Sequence, residues 1–200
     1  MGAVIRTAGG ADREVIAELL DKAFHDDPVS TWIFPEEADR RSRHPLLMGA
    51  FLDIVLAEGR VDVTEDGAAC ALWLSMPAHE PESGDEEPDE GPAALREAID
   101  PGNERIELVG RITAEVHPGG RAHEYLWLIA VAPERQGEGL GTALVESVLD
   151  RCDREGRAAY LEASNPRSRA LYESLGFTVT STVRLPDGPE MWPMWRDPRG

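Results

Sequence analysis

Basic residues are scarce in this chain, in which 20 Lys and Arg stand against 38 Asp and Glu over 200 residues and Lys22 is the only lysine. The formal net charge at pH 7 is therefore -18. Proteins that bind nucleic acid or anionic membranes do so through basic surfaces that neutralise phosphate groups. The charge balance excludes both classes of partner.

Cysteine and long apolar runs are scarce as well. Two cysteines, Cys70 and Cys152, are too few for a disulfide framework. The longest apolar runs, residues 68–74 and 126–132, fall far short of the ~20 residues that cross a bilayer. The first residues also lack the charged start and apolar core of a signal peptide. We expect a cytoplasmic protein with reduced thiols and no membrane span.

The remaining composition is that of one globular domain. Apolar residues make up 42% and charged residues 29% of the chain, which is the mixture of a sequence that folds. We therefore expect a single domain over residues 1–200. One acidic, proline-rich segment without apolar periodicity, residues 77–92, predicts a mobile surface loop.

Apolar runs typical of strands alternate with helical patterns along the chain. Strand patterns lie at residues 3–8, 60–75, 123–131, 158–164, 177–184 and 191–196. Helical patterns follow Asp12, end at Gly59, cover residues 92–116, begin within the glycines at 137–141 and follow Asn165. Residues 31–35 are interpreted as an apolar loop. The alternation predicts an α/β fold with helices on both faces of a sheet.

A glycine run joins the apolar strand at 123–131 to the next helix. Gln136 is followed by glycines at 137, 139 and 141. The start of a helix exposes unpaired backbone N–H groups at a positive dipole end, and glycines let an anion reach them. A dinucleotide fingerprint needs a third glycine where this sequence has Thr142, and a Walker loop needs a lysine that this run lacks. Both nucleotide-binding motifs are therefore disfavoured. We expect an anion cradle, with a plain strand-to-helix turn as the alternative.

Two motifs carry a resemblance to a known family. The run V-x-P-x-x-Q-G-x-G-x-G at 131–141 resembles the acetyl-coenzyme A signature of the GNAT acyltransferase superfamily, and N-P-x-x-x-x-L-Y-x-x-L-G-F at 165–177 resembles its second motif. Segments 23–35 and 188–198 are similar, more loosely, to the branch that contains puromycin N-acetyltransferase. The resemblance implies a GNAT-like mixed, mostly antiparallel sheet of about six to seven strands, with a splayed central strand and helices on both faces.

The resemblance also implies how acetyl-coenzyme A is bound. Backbone groups at Ile129, Ala130 and Val131 would pair with the pantetheine arm, and Asn165 would contact the cofactor besides capping its helix. The pyrophosphate would lie on the glycine run, formed by Gln136, Gly137, Glu138, Gly139, Leu140, Gly141 and Thr142. Because the cofactor is polyanionic, the arginines near the helix starts are either its partners or ordinary surface charges; they are Arg135, Arg167 and Arg169.

Tyr172 occupies the place of the family's tyrosine that protonates the departing thiolate, and a half-buried core tyrosine is the alternative. A phenol of pKa ~10 is matched closely enough to a thiol for that transfer. An acceptor amine arrives protonated, so a base or a water chain must remove a proton. The candidate bases are Glu162, on the strand before Asn165, and His123 and Glu124, at the start of the central strand.

Other histidines and aromatic residues carry weaker signals. We interpret His117 as a loop residue. Three further histidines have no partner at metal-ligand spacing, so we predict no metal; they are His25, His44 and His79. Trp32 and Trp73 fall where the family builds its acceptor wall, with core packing as an equal alternative, and Phe34 is expected in the core.

The sequence therefore predicts an N-acetyltransferase that moves an acetyl group from acetyl-coenzyme A to an amine by direct attack in a ternary complex. A small-molecule amine is the expected acceptor, and a protein amine stays open. The alternative from another class is an acyl-coenzyme A sensor or pseudoenzyme without transfer activity. No feature of the sequence encodes the oligomeric state.

Overall fold

A computed structural model describes residues 3–78 and 90–200 of the chain. The expected acidic loop at 77–92 therefore lies largely outside the described residues, as does His79. Its C-terminal boundary was wrong, because Gly91 and Pro92 already belong to a helix with proline in its first turn. None of the helices in the described part is long and apolar enough to cross a membrane.

Helices and strands alternate along the described residues. The helices are α1 (Arg13–Phe24), α2 (Pro28–Ile33), α3 (Glu37–Glu58), α4 (Gly91–Ile99), α5 (Glu104–Val116), α6 (Leu140–Glu155) and α7 (Pro166–Ser174). The strands are β1 (Ile5–Thr7), β2 (Arg60–Thr64), β3 (Ala69–Met76), β4 (His123–Val131), β5 (Ala158–Ala163), β6 (Thr178–Val179), β7 (Val183–Arg184) and β8 (Glu190–Arg196).

The strands form one mixed sheet in the order β1-β2-β3-β4-β5-β8-β6, with β7 also paired to β8. Among the described strands, β4 and β5 are the parallel pair and the other pairs are antiparallel. The mostly antiparallel α/β fold is confirmed. The described residues contain eight strands where six to seven were expected, because the predicted strand at 177–184 is divided into the two-residue strands β6 and β7.

The parallel strands β4 and β5 diverge along their length. Their pairing runs from His123 with Ala158 to Leu126 with Leu161 and stops there, although β4 continues to Val131. On its other edge β4 pairs with β3, with a register shift at which Trp127 is passed over. A bulge of this kind bends a strand and redirects a side chain. The splayed central strand is thus confirmed, and a gap opens beside its second half.

Helices cover both faces of the sheet, and alternate residues of β3 point to different cores. Cys70 and Leu72 pack with α1 and α3, whereas Ala71 and Trp73 pack with α6 and α7. Such alternation follows from the two-residue period of a strand.

The segment at 31–35 differs from the expected loop, since its first three residues end helix α2. That helix begins because Asp27 accepts a hydrogen bond from the backbone of Val29 at 2.9 Å and Pro28 occupies the first turn. Trp32, Phe34 and Trp73 are buried in the cores. The acceptor-wall alternative for the two tryptophans was wrong, because neither lines the cavity described next.

Candidate active site

A cavity of about 1140 Å³ is lined by the diverging ends of β4 and β5. Most of the residues that the sequence analysis selects reach it. They are Ile129, Val131, Gln136, Gly137, Gly139, Leu140, Gly141, Thr142, Glu162, Asn165 and Tyr172. Four of the candidate bases and cofactor contacts do not line it, namely His123, Glu124, Ala130 and Glu138.

The glycine run forms an open cradle at the start of α6. Gly137 and Gly139 adopt φ values of +87° and +81°, a left-handed conformation that favours glycine. The first helical bond recorded there joins the Ala143 amide to the Gly139 carbonyl at 3.0 Å. The amides of Leu140 to Thr142 therefore have no acceptor within the helix. A Cβ added at Gly137 or Gly139 would meet open space, so the cradle suits a pyrophosphate group.

Among the three candidate arginines, Arg167 lines the cavity, where its Nη1 donates to Oε1 of Gln136 at 3.1 Å. The other two are paired with acids outside the cavity. Arg135 contacts Glu138 at 2.8 Å, which also places the Glu138 side chain outside the cradle, and Arg169 contacts Glu173 at 2.8 Å. The local positive charge for an anionic cofactor thus comes from Arg167 and the helix terminus.

Ala130 does not lie on the cavity side of β4. Its side chain is buried in the core that contains α1 and α3, because adjacent strand residues point to opposite faces. The expectation for this residue concerned its backbone groups and stays a prediction.

The second motif places Tyr172 and Asn165 on α7. Asn165 caps the helix, since its Oδ1 accepts a hydrogen bond from the Ser168 amide at 2.9 Å. Tyr172 is buried and lines the cavity. Burial, with the carboxylate of Asp27 as a second cause, raises the pKa of Tyr172 well above its ordinary value. Its phenol is therefore protonated at neutral pH, and it is a weaker acid than the unperturbed phenol that was matched to the thiol.

Glu162 lies on β5 where that strand leaves β4. Its Oε2 accepts a 2.8 Å hydrogen bond from the Tyr125 hydroxyl, and its Oε1 is buried with no partner among the described residues. Burial raises the pKa of Glu162 to about 7, and the hydroxyl groups of Tyr125 and, to a smaller extent, Tyr160 oppose that rise. A carboxyl group with this pKa exchanges protons near neutral pH, as a general base requires.

His123 is separated from the cavity by His117. The Nε2 atoms of the two rings lie 3.0 Å apart, and Nδ1 of His123 lies 2.8 Å from the Arg121 carbonyl. His117, at the C-terminus of α5, lines the cavity although it was interpreted as a plain loop residue. Burial lowers the pKa of both imidazoles, to about 4 for His117. The position of His123 contradicts its assignment as a base in contact with the acceptor.

Glu124 is also withdrawn from the cavity. Its buried carboxylate contacts Arg157 at 3.2 Å and accepts a hydrogen bond from Ser75 at 2.8 Å. These contacts give it a structural role, since a buried carboxylate needs charged or polar partners.

Asp27 is a cavity residue that the sequence analysis missed. Besides capping α2, its Oδ2 accepts a hydrogen bond from Ser164 at 2.7 Å, which links α2 to the end of β5. The Asp-Pro pair at 27–28 is a helix-start signal and could have identified the cap. Its closeness to Tyr172 depends on the tertiary fold.

A buried hydrogen-bond chain runs from the cavity into the helical layer. Ser30 lines the cavity, and its Oγ lies 3.0 Å from Nε2 of His44. Nδ1 of His44 lies 2.6 Å from Asp21. A carboxylate can only accept hydrogen bonds, so His44 donates a hydrogen bond from Nδ1 to Asp21. Its Nε2 then accepts a hydrogen bond from the Ser30 hydroxyl.

The packing around His44 also corrects the expectation that His25 and His44 have no partner at metal-ligand spacing. The packing of α1 on α3 brings ligand atoms of Asp21, His25 and His44 within 4.8 Å of one another, although they are distant in sequence. Both nitrogens of His44 are already hydrogen-bonded, so this group joins helices. That no metal is required stays a prediction.

Residues 67–177 match the model of the acetyltransferase (GNAT) family, and that segment contains the cradle, Glu162 and Tyr172. The chain belongs to the GNAT acetyltransferase family. Members of this family use acetyl-coenzyme A, and the cradle at the start of α6 fits that molecule. This GNAT chain is an acetyl-coenzyme A-dependent N-acetyltransferase.

Individual proteins agree with the family match. An uncharacterized N-acetyltransferase of Schizosaccharomyces pombe is 28% identical over 86% of this chain and 73% of the relative. The ribosomal protein bS18-alanine N-acetyltransferase of Escherichia coli is 48% identical over 30% of this chain and 41% of its own length. A crystal structure of histone acetyltransferase HPA2 and related acetyltransferase from Corynebacterium glutamicum has a TM-score of 0.74 and 25% identity, and covers 100% of this chain and 98% of that one.

Proposed function

We propose that the enzyme transfers the acetyl group by direct attack of an amine that is bound beside acetyl-coenzyme A in the same cavity. The observation that carries this proposal is the position of Glu162. Glu162 lines the cavity that also contains the cradle and Tyr172, and its buried Oε1 has no hydrogen-bond partner among the described residues. An unpaired buried oxygen of this kind is suited to receive a proton from a bound ligand.

The residues proposed to hold acetyl-coenzyme A fall into two groups. The amides of Gly137 and of Leu140 to Thr142, with Arg167, would bind the pyrophosphate. Beyond the last pair with β5, the backbone of β4 at Ile129 and Val131 pairs with no other described strand on that edge and would bind the pantetheine arm. Asn165, at the start of α7, also lines the cavity and would add a contact. Acetyl-coenzyme A supplies the activated thioester.

Three proton transfers assign the catalytic roles. Glu162, ionised, removes one proton from the ammonium group of the acceptor, and the neutral nitrogen then forms the C–N bond with the acetyl carbon. As the C–S bond breaks, Tyr172 donates its hydroxyl proton to the sulfur atom. Tyr172 recovers a proton from the nitrogen, so one proton in total remains on Glu162 and passes to solvent. General acid and base groups of this kind contribute roughly 10² to 10⁴ in rate.

A small-molecule amine is the proposed acceptor, and the resemblance to the branch with puromycin N-acetyltransferase adds aminonucleosides to the compounds that need testing. The E. coli relative acts, by its name, on the alanine of a ribosomal protein. Because it matches only 30% of this chain, it supports the transfer chemistry more than the acceptor.

Thiol release from acetyl-coenzyme A with a panel of amines tests the proposal. Glu162→Gln should lower kcat about 100-fold or more with unchanged affinity for acetyl-coenzyme A, because the amide cannot take the proton. Glu146→Gln, an exposed glutamate on α6, is the matched control. Unchanged turnover of the Glu162 variant would refute its role as base. Binding of acetyl-coenzyme A without thiol release with any amine would favour the sensor alternative.

A further inference from the structure

We infer that the acceptor is a primary amine with an apolar alkyl or aryl body, and this inference rests on the proposed function. The half of the cavity that lies away from the cradle has the walls, hydrogen-bonding capacity and charge of a site for such a molecule. Each of these features is independent of the catalytic assignments.

Helices α3 and α5 form two apolar walls. From α3 the cavity receives Leu47, Met48, Phe51 and Ile54, and from α5 it receives Ile106, Val109 and Gly110. These positions follow the three-to-four-residue spacing of one helix face. Leu47, Met48 and Ile106 are already buried in the core. The partly exposed wall residues Phe51, Ile54 and Val109 gain free energy when a ligand removes them from water.

Two aromatic rings that contact each other line the same space. Phe51 on α3 and Trp127 on β4 have ring centroids 4.8 Å apart and are both only partly buried. Trp127 is the residue passed over in the register of β4 with β3, so the bulge sets its direction. Partly buried ring faces beside a cavity favour an aromatic or alkyl group as ligand.

The hydroxyl groups of Thr113 and Ser30, which also line the cavity, already have partners. The Thr113 hydroxyl is 3.0 Å from the carbonyls of Val109 and Gly110, and the Ser30 hydroxyl donates to His44. A sugar or a peptide would therefore lose hydrogen bonds to water and gain few in return. An apolar body has no such loss.

The charges of the described cavity lining select for one cationic nitrogen. Asp27 and Glu162 are half-buried acids near the catalytic centre, whereas Arg167 belongs to the cradle. A further acid in the lining, Glu58, is exposed near the end of α3, where water and salt screen its charge. A second ammonium or guanidinium group on the acceptor would thus gain little and would meet the apolar walls.

The test compares amines of different bodies by turnover and by binding. Phenethylamine and hexylamine should have kcat/KM values at least roughly tenfold above those of agmatine, spermidine, ethanolamine and an alanine-terminated peptide. Calorimetry of the same amines with the coenzyme A-bound enzyme should give the same order of affinity. Equal or better values for agmatine, the peptide or ethanolamine would overturn the inference.

The two readouts separate this inference from the proposed function. If the apolar amines bind in the expected order but no amine releases thiol, the transfer proposal fails and the substrate class stands. If thiol is released fastest with a polar amine, the transfer proposal stands and the substrate class is wrong.

Variants of the wall locate the effect. Phe51→Ala should lower kcat/KM for phenethylamine roughly tenfold or more while that for ethanolamine changes less than twofold, and Phe51→Leu should restore most of the loss. Leu46→Ala, on the exposed side of α3, is the control and should change neither value. Equal losses for both amines in the Phe51→Ala enzyme would show a structural role and contradict the assignment.

Discussion

The Tyr125 hydroxyl donates a 2.8 Å hydrogen bond to Oε2 of Glu162 across the last paired residues of β4 and β5. Beyond this point the strands separate, so the bond holds the carboxylate at the inner end of the cavity. The bond favours the ionised form of Glu162, whereas burial favours the protonated form. The balance gives the pKa of about 7 that the proposed base requires.

Removing this hydroxyl should shift the pH dependence of the reaction. With Glu162 acting as base, kcat/KM falls as pH drops below about 7, because the protonated carboxyl cannot take a proton. Tyr125→Phe deletes the contact that lowers the pKa, so the midpoint should move to higher pH. The profile is measured by thiol release between pH 5.5 and 9. A midpoint that stays in place would contradict the link between these residues.

Tyr172→Phe should lower kcat by about 100-fold or more with little change in the Kd of acetyl-coenzyme A, because only the proton donor is lost. The ring remains to pack against Phe177, whose centroid is 6.0 Å away. Thiol release and calorimetry measure the two quantities. Full turnover in this variant would exclude Tyr172 as the acid.

Gly139 and Gly156 offer a matched pair at opposite ends of α6. Both have a positive φ and open space for a Cβ, so alanine at either site should cost about 1 to 2 kcal/mol in the free energy of unfolding. Only Gly139→Ala should also weaken acetyl-coenzyme A binding, since its methyl group would project into the cradle. Urea unfolding and calorimetry give the two values. Equal affinity in both variants would refute the cradle.

His117 should make the fold less stable in acid. Burial lowers its pKa to about 4 from an unfolded value of 6.5, so the unfolded chain binds the proton first as the pH falls. The free energy of unfolding is therefore unaffected by protonation of this histidine above pH 6.5 and decreases as the pH falls from 6.5 towards 4. His117→Gln should reduce the loss of unfolding free energy over this interval by roughly 1 to 3 kcal/mol. Parallel stability curves for the two proteins would contradict the lowered pKa.

The sequence predicted features whose causes are local. The conformations of Gly137 and Gly139, the start of α6 and the capping by Asn165 depend on residues that are neighbours in the chain. The central strand could be read from its continuous apolar run. The second motif also has a local cause, because α7 contains most of it, including Tyr172. The role of Tyr172 as the acid stays a prediction.

Predictions that required contacts between distant segments were less successful. His123 and His117 were both visible in the sequence, yet only the packing of α5 on the sheet shows that His117 faces the cavity and covers His123. In the same way, the sequence left Trp32 and Trp73 equally assigned to the core and to the acceptor wall. The structure shows that both side chains are buried in the core. The bulge that directs Trp127 has no sequence signal.

By itself, therefore, the sequence determined the family, the transferred group and the cradle for its carrier, because glycine conformations and helix ends follow from adjacent residues. The tertiary structure decided which acid lies at the strand separation and which side chains surround the cavity. Glu162, Phe51 and Trp127 come from three separate elements, and their common cavity exists only where β4 and β5 part. Burial, which raises the pKa of Glu162, is a property of that assembled space.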